Sequence, residues 1–198
     1  MKQFPKYTAY VTVIILFQLL SFSLQAQSTI LIVYHSETGN TEKLAQAVAE
    51  GANQVYEVNV VLKPSNQTVE QDLLNADAII VGSPVYNANV SPEISRFIAS
   101  WPFEGEPLKD KIGAAFVTAG GISAGEEIVQ LNILQSMLIF GMVVVGGPDW
   151  TQAFGASAIV GESPFEADSP DEIDEEFLKK GSALGKRVAD LTLQISKE

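Results

Sequence analysis

The 198-residue sequence has no cysteine and a single histidine, His35. Disulfides, thiolate metal sites, cysteine nucleophiles and a lipid-modified cysteine are thereby excluded, and histidine acid–base chemistry has one candidate. Bases are scarce: 12 Lys and Arg against 24 Asp and Glu leave a formal net charge of −12. Such a chain repels a nucleic acid duplex, and no local basic patch offsets this, so no nucleic acid partner is expected. No apolar run reaches the about 20 residues of a spanning helix. Apolar residues still make up 46% of the sequence, too many for a disordered chain. The length suits one domain with a substantial core.

The N-terminus differs from the rest. Lys2 and Lys6 precede an apolar run from Ala9 to Leu20, interrupted only by Thr12 and Gln18, and a more polar stretch ends at Ala26. That order is the order of a secretory signal peptide, with Leu24-Gln25-Ala26 as the cleavage site and Gln27 as the mature start. The alternatives are a first core helix or an uncleaved anchor. The division expected is residues 1–26 as signal peptide and residues 27–198 as one domain, exported to a periplasm or secreted, with no membrane span after cleavage. Loss of the two lysines takes the net charge from −12 to −14.

From Thr29 onward apolar runs alternate with amphipathic stretches. Residues 29–34, 58–62, 78–82, 112–118 and 142–146 read as strands. Residues 42–49, 92–101 and 126–140 read as helices, and 63–75 as a loop with a short helix. A last helix places Ile173, Phe177, Leu184, Val188, Leu191 and Ile195 on one face, with Ser169, Pro170 and Glu172 at its start. The strands are continuously apolar, which requires cover on both faces. An α/β doubly wound sheet of five parallel strands follows, and such sheets bind ligands beyond the carboxyl ends of their strands. The loops after strands one, three and four are therefore the candidates.

The first loop, Ser36-Glu37-Thr38-Gly39-Asn40-Thr41, runs directly into a helix. Hydroxyls of Ser36, Thr38 and Thr41, with N–H groups exposed at Gly39 and at the helix start, form a cage for a monophosphate without any cation. An ordinary N-capped helix is the alternative. Both the Walker pattern and the dinucleotide glycine fingerprint are missing. In the second loop, Ser83-Pro84-Val85-Tyr86-Asn87-Ala88-Asn89, a proline-fixed turn can hold Tyr86 against a flat ring; plain turn chemistry is the alternative. The third, Thr118 to Glu126, has three glycines, 120, 121 and 125, that allow backbone to approach a ligand or simply connect flexibly to a helix.

These loops, together with Ala76-Asp-Ala-Ile-Ile-Val-Gly-Ser-Pro-Val-Tyr86, resemble the three FMN-contacting loops of the flavodoxin-like superfamily. The resemblance covers the whole mature chain. Gly125-Glu126-Glu127, Phe140-Gly141-Met142-Val143-Val144-Val145-Gly146 and a long loop to Pro164-Phe165 are similar to the tryptophan-repressor-binding-protein type of NAD(P)H:quinone oxidoreductase. The first loop looks more like that of a true flavodoxin. The resemblance implies a sheet of order 2-1-3-4-5 with helices on both faces. It implies FMN as cofactor: phosphate at Ser36, Thr38, Gly39, Asn40 and Thr41, and isoalloxazine between Pro84, Val85, Tyr86, Asn87 and Thr118, Ala119, Gly120, Gly121. It further implies NAD(P)H as donor and a quinone-like acceptor. No protein residue is assigned a catalytic role, since the flavin carries the chemistry. Phe140 stands where that family usually has a histidine lining the substrate pocket, Tyr86 where it usually has an arginine, and the connection between strands two and three is shorter. The alternative is an exported flavodoxin-like electron carrier that meets a redox partner through its acidic surface. A homodimer is the base-rate assembly.

Other features carry less. Gly121-Ile-Ser-Ala-Gly125 matches a serine-hydrolase nucleophile elbow, but no histidine follows it. Trp101 and Trp150 suit either a flavin shield or packing. Asn66-Gln-Thr68 and Asn89-Val-Ser91 match the glycosylation pattern, a frequent chance match. Residues 162–176 contain eight acids and no base, which suits a solvated loop and helix start or a docking face for a basic partner.

Overall fold

A computed structural model describes residues 27–195; the expected signal peptide lies outside these residues. Strand β1 (Ser28–Tyr34) is central, with β2 (Val58–Pro64) parallel on one side and β3 (Ala78–Tyr86) parallel on the other. Beyond β3 lies β5 (Ile112–Ala119) and then β6 (Val143–Val144). Successive residues of β1 point to opposite faces and enter two separate cores. Ile30 and Ile32 pack with Leu44 and Val48 of α1 (Asn40–Ala52) and with Leu184 and Val188 of α5 (Glu175–Ile195). Leu31 and Val33 pack with Ile94 and Phe97 of α3 (Pro92–Ala99) and with Val129, Ile133 and Met137 of α4 (Glu126–Ile139). A short α2 (Glu70–Asn75) adds Leu73 to the second core. Among the described residues, no helix is long and apolar enough to cross a membrane.

The doubly wound architecture is as expected, but the sheet has seven strands in the order β2-β1-β3-β5-β6, not five in the order 2-1-3-4-5. Two short strands are added. A hairpin strand, β4 (Asn89–Val90), runs antiparallel to the end of β3, so the sheet is not wholly parallel. The fifth position is also divided: β6 pairs only with Ile112 and Gly113, and β7 (Ala156–Ile159) pairs with Phe116 to Ala119. Gly146-Gly147-Pro148 ends β6 early. The Gly147 N–H turns to the Gln152 carbonyl (2.8 Å), and the Asp149 carboxylate accepts from Thr151 N–H (2.8 Å) to close a short turn at Trp150–Gln152. The upper half of β5 would then keep unpaired backbone groups, and β7 satisfies them.

The final helix starts later than its capping residues suggest. Pro170–Glu172 form a single 3-10 turn, in which Glu172 accepts from Asp168 N–H (3.1 Å). Ile173 is then extended (ψ 128°) and inserts into the core, which breaks the helical run. The cap of α5 is Asp174, whose carboxylate accepts from Glu176 N–H (2.8 Å). Ile195 is half exposed, off the buried face.

Candidate functional site

The first, second and third loops meet at the carboxyl end of the sheet. After Tyr34, the His35 N–H donates to the Gly82 carbonyl (3.2 Å), so the chain follows β3 before turning. Ser36 Oγ accepts from Gly39 N–H (3.0 Å), and Gly39 turns the chain at φ +92°. The first α1 hydrogen bond is Lys43 N–H to Gly39 carbonyl (2.9 Å), and no side chain caps the helix. The N–H groups of Asn40, Thr41 and Glu42 thus lack helical partners and carry the positive end of the helix dipole. Asn40 Oδ1 is buried with no hydrogen-bond partner. Thr38 is exposed above them.

Thr41 is placed differently from an anion-facing hydroxyl. Its Oγ1 lies 2.7 Å from Thr118 Oγ1, and both side chains are buried. The pair ties the start of α1 to the end of β5. At the foot of the same loop the Tyr34 hydroxyl donates to Glu42 Oε1 (2.9 Å). Burial first, and then Glu42, push the Tyr34 pKa from 10.0 up to about 12. Because the folded value is raised, its stabilising contribution is complete below pH 10 and lost as pH rises to about 12. Urea unfolding between these limits is expected to show a steeper loss for the native protein than for Tyr34→Phe; parallel curves would mean that Tyr34 does not titrate in this window.

The second loop is a strand and hairpin, not the free loop expected from Ser83 onward. Ser83 and Pro84 pair with Val117 and Thr118, and Val85 and Tyr86 pair back onto Val90 and Asn89. The turn residues Asn87 and Ala88 take φ +52° and +58°, the left-handed pair of a tight hairpin. Ser83 Oγ accepts from Ser91 N–H (3.0 Å), and Ser91 Oγ in turn accepts from Ile94 N–H (3.3 Å) to cap α3. The Tyr86 side chain therefore sits on a fixed strand. Its hydroxyl hydrogen-bonds to Glu37, and burial, then the charge of Glu37, raise its pKa. His35, the one candidate for histidine acid–base chemistry, has Nε2 3.3 Å from Glu93 Oε2, and Arg96 donates to the other Glu93 oxygen (2.8 Å). The Glu93 pKa is lowered, first by its backbone hydrogen bond and then by the neighbouring His35 and Arg96.

In the third loop Gly120 faces open space, whereas a Cβ on Gly125 (φ +103°) would lie 2.5 Å from the Ala88 methyl. The second and third loops are thus in direct contact. A fourth segment, not anticipated from the sequence, completes the site. Glu162, just past β7, accepts from Ile122 N–H (2.6 Å), and a Cβ on Gly121 would meet the same carboxylate oxygen at 2.7 Å. Pro170 packs on Gly39 from the same stretch. The acidic run around Glu162 reads as solvated, and no periodicity in it marks the acid that reaches back to the third loop. Neither tryptophan belongs to these loops. Trp150 is 87% exposed, and Trp101 packs edge-on against Phe97 and Phe140 at the opposite end of the sheet. Phe140, too, lies away from this chain's own loops.

Comparison with known proteins agrees with this arrangement. Residues 29–156 match the model of the NADPH-dependent FMN reductase family. A flavodoxin of Aquifex aeolicus is 35% identical over 171 residues, covering 81% of this chain and 85% of that protein. An NAD(P)H dehydrogenase (quinone) of Cupriavidus metallidurans is 32% identical over 163 residues, covering 71% and 81%. Among solved structures, a flavodoxin, WrbA-like protein from Agrobacterium tumefaciens superposes with a TM-score of 0.69 over 84% of this chain and 98% of that one, at 24% identity, a likeness of fold. The family match spans more than half of the chain and coincides with the sheet and loops described above, and the chain belongs to the NADPH-dependent FMN reductase family.

Proposed function

We infer that the protein is an FMN-dependent oxidoreductase of the NAD(P)H:quinone reductase type. The observation that carries this reading is the uncapped start of α1, where three N–H groups without helical partners converge with Ser36, Thr38 and the unpartnered Asn40 Oδ1. These groups are neutral, and together they fit a phosphate monoester. The Asn40 amide either accepts from a ribityl hydroxyl or, turned over, donates to the phosphate. Bound FMN supplies hydride acceptance and electron transfer to a quinone-like acceptor. The protein's own part is to bind and orient. The Thr41–Thr118 pair locks the first loop to the third, the hairpin fixes Pro84, Val85, Tyr86 and Asn87, and Glu162 holds the backbone of Ile122 beside Gly120 and Gly121.

A second reading, an electron carrier without its own NAD(P)H activity, is favoured by the acids around the loops. Glu37, Glu93 and Glu162 border the site in a chain of net charge −12, which disfavours an anionic dinucleotide and attracts a basic redox partner. The order of residues 1–26 supports export, where such a partner would replace a nicotinamide donor. A visible spectrum followed by stopped-flow mixing with NADPH separates the readings. Flavin bands that bleach rapidly are expected for the reductase. Bands that persist identify the carrier, and a protein that takes up no FMN overturns both.

A further inference from the structure

Most of the described bases are neutralised where they stand. Lys43, Lys63, Arg96, Lys109, Lys179 and Lys186 each lie between 2.7 and 3.3 Å from a carboxylate, and Lys111 donates to the Leu74 and Ala76 carbonyls. Two bases on α5 are different. Lys180 reaches only the Thr151 carbonyl, at 3.5 Å, and Arg187 makes no ion pair or hydrogen bond among the described residues, its Nε being buried without a partner. Partly withdrawn from water, that guanidinium is left uncompensated. Seven positions separate the two, about 20° short of two full turns, so both lie along one side of the helix about 10 Å apart.

That side faces the turn that interrupts the sheet edge. Pro148 and the α5 residues Ala183, Arg187, Leu191 and Gln194 line an open groove of about 380 Å³. The same turn, held by the Gly147–Gln152 bond, presents Trp150 87% exposed. Two acids lie beside this surface, and each is already engaged: Asp190 by Lys186 (2.7 Å), and Asp149 by the Thr151 N–H (2.8 Å) and hydroxyl (2.6 Å).

The residue types identify the occupant. Arg and Trp dominate binding energy at protein interfaces, and a Trp projecting from a fixed turn suits a partner with a pocket of its own. An anionic membrane is recognised by clusters of about four to eight bases or by a broad apolar helix face, and this surface has neither. Over the rest of its surface a chain of net charge −12 repels an acidic partner, so the two uncompensated cations fix where such a partner can approach.

We propose that the groove between α5 and the Pro148–Gln152 turn docks an acidic segment of another protein, with two carboxylates about 10 Å apart on Lys180 and Arg187 and an apolar pocket over Trp150. α5 starts just after Pro170, which packs on Gly39 of the first loop, and the groove follows the later turns of the helix. Docking there leaves the three loops open.

The test is the anisotropy of a rhodamine-labelled deca-glutamate peptide titrated with the full chain in the presence of FMN. Saturable binding is expected, weakening about tenfold between about 20 and about 200 mM salt. Trp150 emission should shift over the constant background of buried Trp101. Lys180→Gln/Arg187→Gln is expected to weaken binding at least about tenfold. Lys63→Gln/Lys109→Gln removes the same two charges elsewhere and should change it less than about threefold. Failure to bind the peptide, or equal losses in the two double variants, would overturn the proposal. So would displacement by inorganic phosphate at equal charge, which marks a small-anion site, capture of phosphatidylglycerol vesicles through Trp150 in place of the peptide, or self-association that Arg187→Gln abolishes. No readout uses flavin absorbance, so failure of the flavin reading leaves these results unchanged.

Discussion

Thr38→Glu is expected to weaken FMN binding by about a thousandfold while leaving the fold intact. Thr38 is exposed at the tip of the first loop, so the larger side chain meets no packing barrier. What changes is the charge of a cage that has no cation to absorb it. Two like charges about 4 Å apart at an effective dielectric constant of 20 repel by about 4 kcal/mol, and each 1.4 kcal/mol is about tenfold in affinity. The α1 dipole, worth about 1 kcal/mol at such a site, does not compensate. Thr38→Gln separates size from charge and should retain most of the affinity. Quenching of FMN fluorescence on titration measures both. Affinity of the glutamate variant within tenfold of the native value would place the phosphate elsewhere.

Gly185→Ala is expected to cost about 3 kcal/mol or more of stability, although the same change on an exposed helix gains about 1 kcal/mol. The contact with α1 decides the sign. A Cβ at position 185 would lie 1.9 Å from the Val48 carbonyl oxygen, and one on Gly51 would lie 1.8 Å from the Ser182 carbonyl oxygen. These are backbone atoms, so relief requires the two helices to separate. Because α1 begins at the first loop and is tied to β5 through Thr41 and Thr118, that separation also disturbs the candidate phosphate site. Urea denaturation should show a lower midpoint with an unchanged slope, and FMN affinity should fall in parallel. Native-like stability would mean that the α1–α5 contact is looser than described.

How much of this was readable beforehand depends on what each element answers to. The strands β1, β3 and β5 are fully buried runs such as Ile30-Leu-Ile-Val33, and local composition marks them plainly. The sheet edge is less legible. Residues 142–146 read as a strand and Val143–Val144 is one, but Ala156–Ile159 is too short and too mild to declare itself, and it becomes a strand because the far end of β5 needs a partner. The hairpin at Asn87-Ala88 lacks the glycine that usually announces a two-residue turn, and Ala88 is held at positive φ by the closure of the pairs on either side.

Within the site, the loop that opens α1 was legible because a short polar segment entering a helix without a cation is local information. Glu162 was not, since an acid in an acidic stretch looks like any other until the chain after β7 folds back over Gly121. Likewise nothing near Thr41 points to Thr118.

By itself, the order of residues determined the layered α/β class, the absence of thiol chemistry, the acidic composition and the neutral first loop, because each depends on composition or on neighbours within one turn or strand. Only the tertiary structure decided the strand order at the edge, the Thr41–Thr118 and Ile122–Glu162 contacts, and which side of α4 faces outward. A helix that is apolar all round has no period to say which face the sheet will cover, and contacts between residues 77 positions apart exist only once the intervening chain has packed.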